Sequence, residues 1–410
     1  MMRTSLAVLL VLAALLILVS GCWTETPADT PEASGDMAVQ SVSMIGGDEL
    51  PSDEEVERDR YITRPVQLAN VDTLARAEAE QANTERLADL DTTRAWSTEM
   101  QLPLGGNVEG PSVLKLQVLL DRARFSPGEI DGRWGNNTEA ALVWFQKSAG
   151  MEASGVADSA TVAALGRRAG RPDSLVVTYT LTAGDVEGPF EPLPEDVYEK
   201  AKLERLGYES LGEALGERFH ASPALISRLN DSMTLDSLSA GDRIRVPNIM
   251  GAPRVSGEIA MIVVSGSGHY LQALSADSTI LFHAPATLGA EYDPSPSGDF
   301  EVTRTARNPT WHYQPKILAS VPDDQEDAVL PGGPNNAVGT VWIALSEPHY
   351  GIHGTRAPST IGYASSAGCT RLTNWDAEHL LSMVKTGTPV QFRDITGRDA
   401  SGAKTSTSRS

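Results

Sequence analysis

A cysteine and a histidine sixteen residues apart carry the most chemistry in this sequence. Cys369 is approached through Ser366, Ala367 and Gly368, and His353 is followed by Gly354. A thiolate is a strong nucleophile, and a neutral imidazole has the basicity to take a thiol proton near neutral pH. Small residues just before a nucleophile leave backbone N–H groups open to a substrate carbonyl, where they can hold an oxyanion. Together these are the parts of an acyl transfer through a thioester. The spacing alone also permits a blander reading, in which Cys369 is a small buried apolar residue. Arg371, two places on, either supports the loop or meets a substrate carboxylate.

Competing constellations are weaker. His349 and His353 stand four apart, an interval at which a helix binds zinc, but Pro348, Gly351 and Gly354 oppose a helix there and no third ligand is evident. No metal and no cofactor is expected. His269, His283 and His312 lie near strand-like segments and read as satisfied histidines. The acidic run at 323–327 (DDQED) reads as a solvated loop, part of a lid over a cleft.

The reactive pair needs elements to position it. EIAMIVV (258–264), HYLQALS (269–275) and STILFHA (278–284) read as consecutive strands, with Gly-Ser-Gly turning between the first two. VWIAL (341–345) and PVQF (389–392) add more. Thr373 with Asp376 opens a helix that runs through Trp375, Leu380, Leu381 and Val384.

Several of these segments fall into one pattern. IHG at 352–354, Pro358, IG at 361–362 and SAGCTRL at 366–372 follow PSPSGDF at 294–300, PTW at 309–311 and PGGPNNAVG at 331–339. In this order they resemble the L,D-transpeptidase catalytic domain, also called YkuD-like, over 257–396. The resemblance implies a mainly β, β-sandwich-like domain with Cys369 as nucleophile and His353 as base. It also implies that a carbonyl or hydroxyl beside the histidine, here at Gly354, orients the ring. Backbone N–H groups around Ser366, Ala367, Gly368 and Cys369 would hold the oxyanion. Ala367 stands where the family usually has a histidine; its N–H is kept, and the hydrogen bonds of an imidazole there are lost.

The resemblance further implies attack on a peptidoglycan tetrapeptide stem, expulsion of the terminal D-Ala and transfer of the acyl group to an amine. Two alternatives stay open: a hydrolase of the same fold with water as acceptor, and a non-catalytic wall-binding lipoprotein.

Upstream, 106–170 shows helical spacing at Val113, Leu116, Leu119 and Leu120, again at Ala140, Ala141, Val143, Trp144 and Phe145, and more faintly at Val162 and Leu165. DGRWG at 131–135 is turn chemistry, and Asn137 or Thr138 is expected to cap the middle helix. The order of LQ, DG-x-W-G, T-x-A-A and FQ resembles the peptidoglycan-binding-like three-helix domain. Residues 173–250 offer a strand in LVVTYTLT, helical spacing in Leu211, Leu215 and Phe219, Asn230 as terminator and a Gly-Asp-x-Ile-x-Val-Pro strand. These resemble a LysM module of βαβ type, a family that recognises N-acetylglucosamine chains; His220 reads as packed or solvated. The whole is expected to be a multidomain α+β chain.

The start of the chain reads as a lipoprotein signal over 1–21. An apolar run from Leu6 to Val19, too short to span a membrane comfortably, ends in VSGC at 19–22. That ending resembles a lipobox with Cys22 as the lipidated residue; the alternative is an ordinary secretory signal with a chance cysteine. Residues 22–105 are acidic and poor in aromatics, which predicts a flexible tether with a reach of roughly 50 Å over about 80 residues. A helix is permitted over 66–90. The 397–410 tail is expected to be disordered. The expected location is the cell envelope, lipid-anchored, on the periplasmic face of the outer membrane in a Gram-negative host. The expected partners are peptidoglycan stem peptides, its glycan and the membrane. A formal charge of −21 over 410 residues argues against nucleic acid.

Overall fold

The structure is a computed structural model that describes residues 41–43, 73–90, 99–290, 293–317 and 324–395. The signal segment, Cys22, the start of the tether and the 397–410 tail lie outside the described residues. A short strand β1 (Ser41–Ser43) pairs parallel with 310–312. Helix α1 (Thr73–Ala82) then buries Ala79 and aims Arg76 at Glu139, 3.3 Å away.

The sequence predicts a tether continuous to 105, and here the structure differs. Leu87, Leu90 and Leu104 are buried in the core of the module that follows, and Leu104 exchanges backbone hydrogen bonds with Ala157 at 2.8 and 3.0 Å. These leucines are too sparse to mark a helix face, yet they suffice to seat the segment on an existing core.

That core belongs to α2 (Pro111–Arg122), α3 (Asn136–Ser148) and α4 (Ser159–Arg168). Pro111 starts α2, where its fixed φ costs nothing, and Asp158 caps α4 by accepting the Thr161 N–H at 2.7 Å. Leu116, Leu120, Phe125, Leu142, Phe145 and Leu165 fill the interior. The LQ and DGRWG motifs meet through one buried amide. Gln117 Nε2 donates to Asp131 Oδ1 and to the Arg133 carbonyl, both at 3.0 Å, while its Oε1 accepts the Gly132 N–H at 2.8 Å. The expected cap on α3 is corrected: Gly135 holds the N-cap position without a side-chain bond. Asn137, inside the first turn, donates instead to the Ile361 carbonyl at 2.9 Å.

Next come β2 (Val176–Thr180), a short helix α5 (Val197–Lys200), α6 (Leu211–Arg218), α7 (Pro223–Leu229) and β3 (Arg243–Pro247). Ser210 and Ser222 cap α6 and α7, and β2 and β3 pair antiparallel from Val176↔Pro247 to Thr180↔Arg243. Apart from the 183–209 insertion this is a βααβ unit. Asn230 ties it together, with Oδ1 accepting the Arg245 N–H and Nδ2 donating to the Ile226 and Arg245 carbonyls.

The remaining strands are β4 (Met261–Ser265), β5 (Tyr270–Leu274), β6 (Ile280–Pro285), β7 (Gly298–Arg307), β8 (Thr310–Tyr313), β9 (Ala328–Leu330), β10 (Val341–Leu345), β11 (Gly351–His353), β12 (Thr370–Arg371) and β13 (Pro389–Arg393), with α8 (Asn374–Leu381) before the last. Eight form one curled mixed sheet in the order β12-β11-β10-β7-β13-β4-β5-β6, and β1-β8-β9 form a separate flap. The sheet's core is apolar throughout, from Ile262 and Val264 to Val341, Ile343 and Val390.

The modules pack on one another. Arg124 and Ser126 bond through their backbones to His283 on β6, and Ile130 does the same with His220 and Ser222 of the βααβ unit. Of the two sequence readings of His220, packed or solvated, the structure shows the first: Nδ1 lies 2.7 Å from Asp121, and the ring stacks on Trp375 of α8. Ser126 Oγ reaches Asp376 at 2.9 Å, so the three-helix module also grips the first turn of α8.

Candidate active site

Strand pairing places His353 beside the short strand that follows Cys369. β11 lies between β10 and β12; His353 pairs with Trp342 on one side and, in parallel, with Arg371 on the other. Side chains alternate along strands, so residues paired across a sheet share a face. Cys369 stands two before Arg371, just ahead of β12. Trp342 links the two residues: it stacks on the His353 ring at 5.6 Å and 25° and shares an apolar cluster with Cys369.

Both groups are buried and neutral. His353 is fully buried, and burial, with the Arg371 cation adding to it, lowers its pKa to about 3 against the opposing pull of the Gly354 carbonyl. Burial pushes the Cys369 thiol up to about 12, with the Gly351 N–H and the Arg371 guanidinium acting the other way. The imidazole is oriented: Nδ1 lies 2.6 Å from the Gly354 carbonyl, which fixes the proton on Nδ1, and Nε2 has no hydrogen-bond partner among the described residues. In this resting arrangement the thiol donates to the His349 carbonyl at 3.6 Å.

The loop before the cysteine is built from backbone constraints. Gly368 has φ +92, and a Cβ there would lie 2.8 Å from Tyr350, so glycine is required on both counts. Ser366 Oγ donates to the Cys369 carbonyl at 2.5 Å, and its backbone N–H and carbonyl bond to Leu288 and Ala290. Arg371 exchanges two backbone bonds with Thr287, at 2.8 and 3.0 Å. Ala367 is buried, and among the described residues no carbonyl takes the N–H of Ala367, Gly368 or Cys369. Those three donors are the ones an oxyanion would need.

The thiol's apolar surroundings come partly from another module. Leu206, from the βααβ insertion, joins Trp311, Tyr313, Leu330 and Val338 around Cys369. Its N–H donates to Gly332 at 3.1 Å, its carbonyl accepts from Asn335 at 3.2 Å, and Tyr198 Oη donates to the Glu326 carbonyl at 2.9 Å. The acidic run's described residues are exposed, and Glu326 is where the insertion meets it. Nothing local in the sequence announces Leu206, Trp342 or Tyr350 as neighbours of the cysteine, because each arrives through pairing of distant segments.

The other candidates stay apart. His283 is buried on β6 against Phe125, Trp144 and Tyr270. Among the described residues no three His, Cys, Asp or Glu side chains cluster closely enough to hold an ion. A cavity of about 340 Å³ lies between the DGRWG turn and Pro358, Ser359 and Tyr363, and one of about 970 Å³ lies among Glu217, His220, Trp375 and His379. Neither is lined by Cys369.

Comparison with known proteins agrees with this architecture. The family model for the L,D-transpeptidase catalytic domain matches residues 260–392, and the model for a peptidoglycan binding domain matches 109–165. The YkuD protein of Bacillus licheniformis, named as an L,D-transpeptidase, is 30% identical over 180 residues, which is 44% of this chain and 92% of that one. Its Bacillus subtilis namesake is 31% identical over 172 residues, 42% of this chain and 87% of that one. A crystal structure of an L,D-transpeptidase from Xylanimonas cellulosilytica aligns at 16% identity with a TM-score of 0.30, covering 70% of this chain and 95% of that one. With the two Bacillus relatives covered nearly end to end at 30% and 31% identity, the chain belongs to the L,D-transpeptidase family.

Proposed function

We propose that the protein forms a thioester between Cys369 and a peptidoglycan tetrapeptide stem, and passes the acyl group to an amine. The observation that carries this is the orientation of His353: its Nδ1 is engaged by Gly354, so the basic lone pair of Nε2 is left without a partner among the described residues. In the proposed step the thiol proton moves to Nε2 as sulfur adds to the stem carbonyl. The resulting oxyanion takes hydrogen bonds from the N–H groups of Gly368 and Cys369, each worth about 3–4 kcal/mol in acyl enzymes. Collapse breaks the peptide bond, and the imidazolium returns its proton to the departing D-Ala amine. The acceptor amine then attacks the thioester, losing its proton to the same nitrogen and regenerating the thiol.

The low basicity of His353 and the raised thiol pKa favour this concerted route. A standing thiolate–imidazolium pair would have to survive burial, which disfavours both charges. The three-helix and βααβ modules would hold the wall polymer near the catalytic sheet. Lipidation at Cys22 would keep the protein at the cell envelope, on the periplasmic face of the outer membrane in a Gram-negative host; the VSGC ending supports that reading.

Acylation of the purified protein by a carbapenem, followed by mass spectrometry, tests the nucleophile. One adduct is expected, absent from Cys369→Ala; wild-type protein that never acylates would count against the reading. Incubation with tetrapeptide muropeptides, following D-Ala release and the fate of the acyl group, separates transfer from hydrolysis.

A further inference from the structure

The imidazole of His353 is held by one backbone carbonyl, and something must hold that carbonyl. Stacking on Trp342 does not choose which way the ring edges point. A half-turn about the Cβ–Cγ bond keeps the stack and exchanges Nδ1 with Cδ2. Only the bond to Gly354 distinguishes the two settings, so the orientation of the Gly354–Thr355 peptide decides which way Nε2 points.

We propose that Asn374 is a positioning residue for His353, its carboxamide clamping the Gly354–Thr355 peptide so that the carbonyl stays on Nδ1. The inference rests on the reading of His353 as the base. Asn374 is buried at the start of α8, with Oδ1 accepting the Thr340 N–H at 3.1 Å and Nδ2 donating to the Pro334 carbonyl at 3.3 Å. Its Oδ1 lies so close over Gly354 and Gly339 that a Cβ on either glycine would collide with it. Gly339 closes on the same peptide: a Cβ there would also come 2.7 Å from both Gly354 C and Thr355 N. The Gly354 N–H is fixed in turn by Val341 O at 3.2 Å. The peptide is thus gripped by β10, by the turn that ends in Gly339 and by Asn374.

Asn374 is not needed to start its helix. Thr373 already caps α8, accepting the Asp376 N–H at 3.1 Å. A side chain spared that duty, and bonded to two segments on either side of Gly339, serves the peptide it covers. The Asn374 side chain also acts on Glu217 of α6, opposing the rise that burial gives that carboxyl.

The test uses the full chain labelled with ¹⁵N-histidine, read by NMR for the His353 tautomer, together with the rate of carbapenem acylation. Wild type is expected to show the Nδ1-protonated form alone. Asn374→Ala is expected to show a mixture with Nε2-protonated imidazole, and the first-order acylation constant to fall about 100-fold, while the carbapenem concentration for half-maximal rate changes little. Asn374→Asp keeps an oxygen for the Thr340 N–H and is expected to retain the wild-type tautomer. Should Asn374→Ala fail to fold, Asn374→Ser is read instead, since Thr373 still caps the helix. A folded Ala or Ser variant with the wild-type tautomer and rate overturns the clamp. A wild-type protein that shows the Nδ1 tautomer but never acylates overturns the proposed function and leaves the clamp standing.

Discussion

Two buried histidines in this protein share a degree of burial and a proton affinity, and differ in what surrounds them. His283 and His353 are both fully buried, and burial lowers both to about 3. Both also keep an Nε2 without a partner among the described residues. Around His283 stand Phe125 at 6.1 Å, Tyr270 at 5.5 Å and the amide of Gln272 at 3.3 Å. Around His353 stand the Arg371 cation, the Trp342 ring and a carbonyl that fixes its tautomer. A perturbed histidine therefore does not identify a reactive centre. An oriented ring, linked through Trp342 to a nucleophile, does.

Exchanging each ring for glutamine gives the largest contrast. His353→Gln is expected to slow carbapenem acylation by about 10²–10⁴-fold, the range for a lost general base, while His283→Gln changes it by less than about threefold. Comparable losses at both positions would mean that the interface with the three-helix module matters to the reaction as much as the base does.

Stability should show the opposite ranking. Phe125 is fully buried, packed edge-on against Phe145 at 5.5 Å and stacked on His283. Phe125→Ala is expected to cost about 3–5 kcal/mol in chemical denaturation. A cost below about 1 kcal/mol would show that the junction contributes little.

Acid should destabilise both regions together. Each histidine is neutral in the fold down to about pH 3 and titrates near 6.5 when unfolded, so the unfolded chain binds more protons between those limits. Their stabilisation is complete above about pH 6.5 and is lost as pH falls toward 3, at about 1.4 kcal/mol per pH unit for each ring. Denaturation midpoints from pH 7 to pH 4 check this, and His283→Gln should flatten the slope. A midpoint independent of pH over that range would contradict the depressed values. The smallest effect belongs to Ser126→Ala, which removes the bond to Asp376: about 1 kcal/mol of stability, with acylation within twofold of wild type.

What the sequence made legible follows from how local each feature is. The strand at 341–345 has the bounds read from its apolar run, and Thr373 caps α8 as its spacing with Asp376 predicts. Where two local solutions compete, the reading fails. Asn137 has the chemistry of a cap, but Gly135 occupies that place and frees Asn137 to reach Ile361, 224 residues on. The folded end of the tether was illegible because Leu87, Leu90 and Leu104 bury against a surface that other segments supply.

At the site, Cys369, His353 and the Gly354 carbonyl could be named from the motif. Trp342, Leu206 and Asn374 could not, since strand register, a module insertion and two close-packed glycines bring them in. Asn374 sat in plain view beside the cap; its contact with Gly354 was the part that no spacing rule encodes.

The central claim is that Cys369 carries the acyl group, and trapping it on the natural stem is the most direct test. Wild-type protein would be mixed with a disaccharide tetrapeptide, quenched in acid, digested and sequenced by mass spectrometry, with free D-Ala measured alongside. The expected result is one tripeptide-stem adduct on the peptide containing Cys369, with D-Ala released in equal amount. Release of D-Ala with the adduct on another residue, or no release at all, would contradict the account.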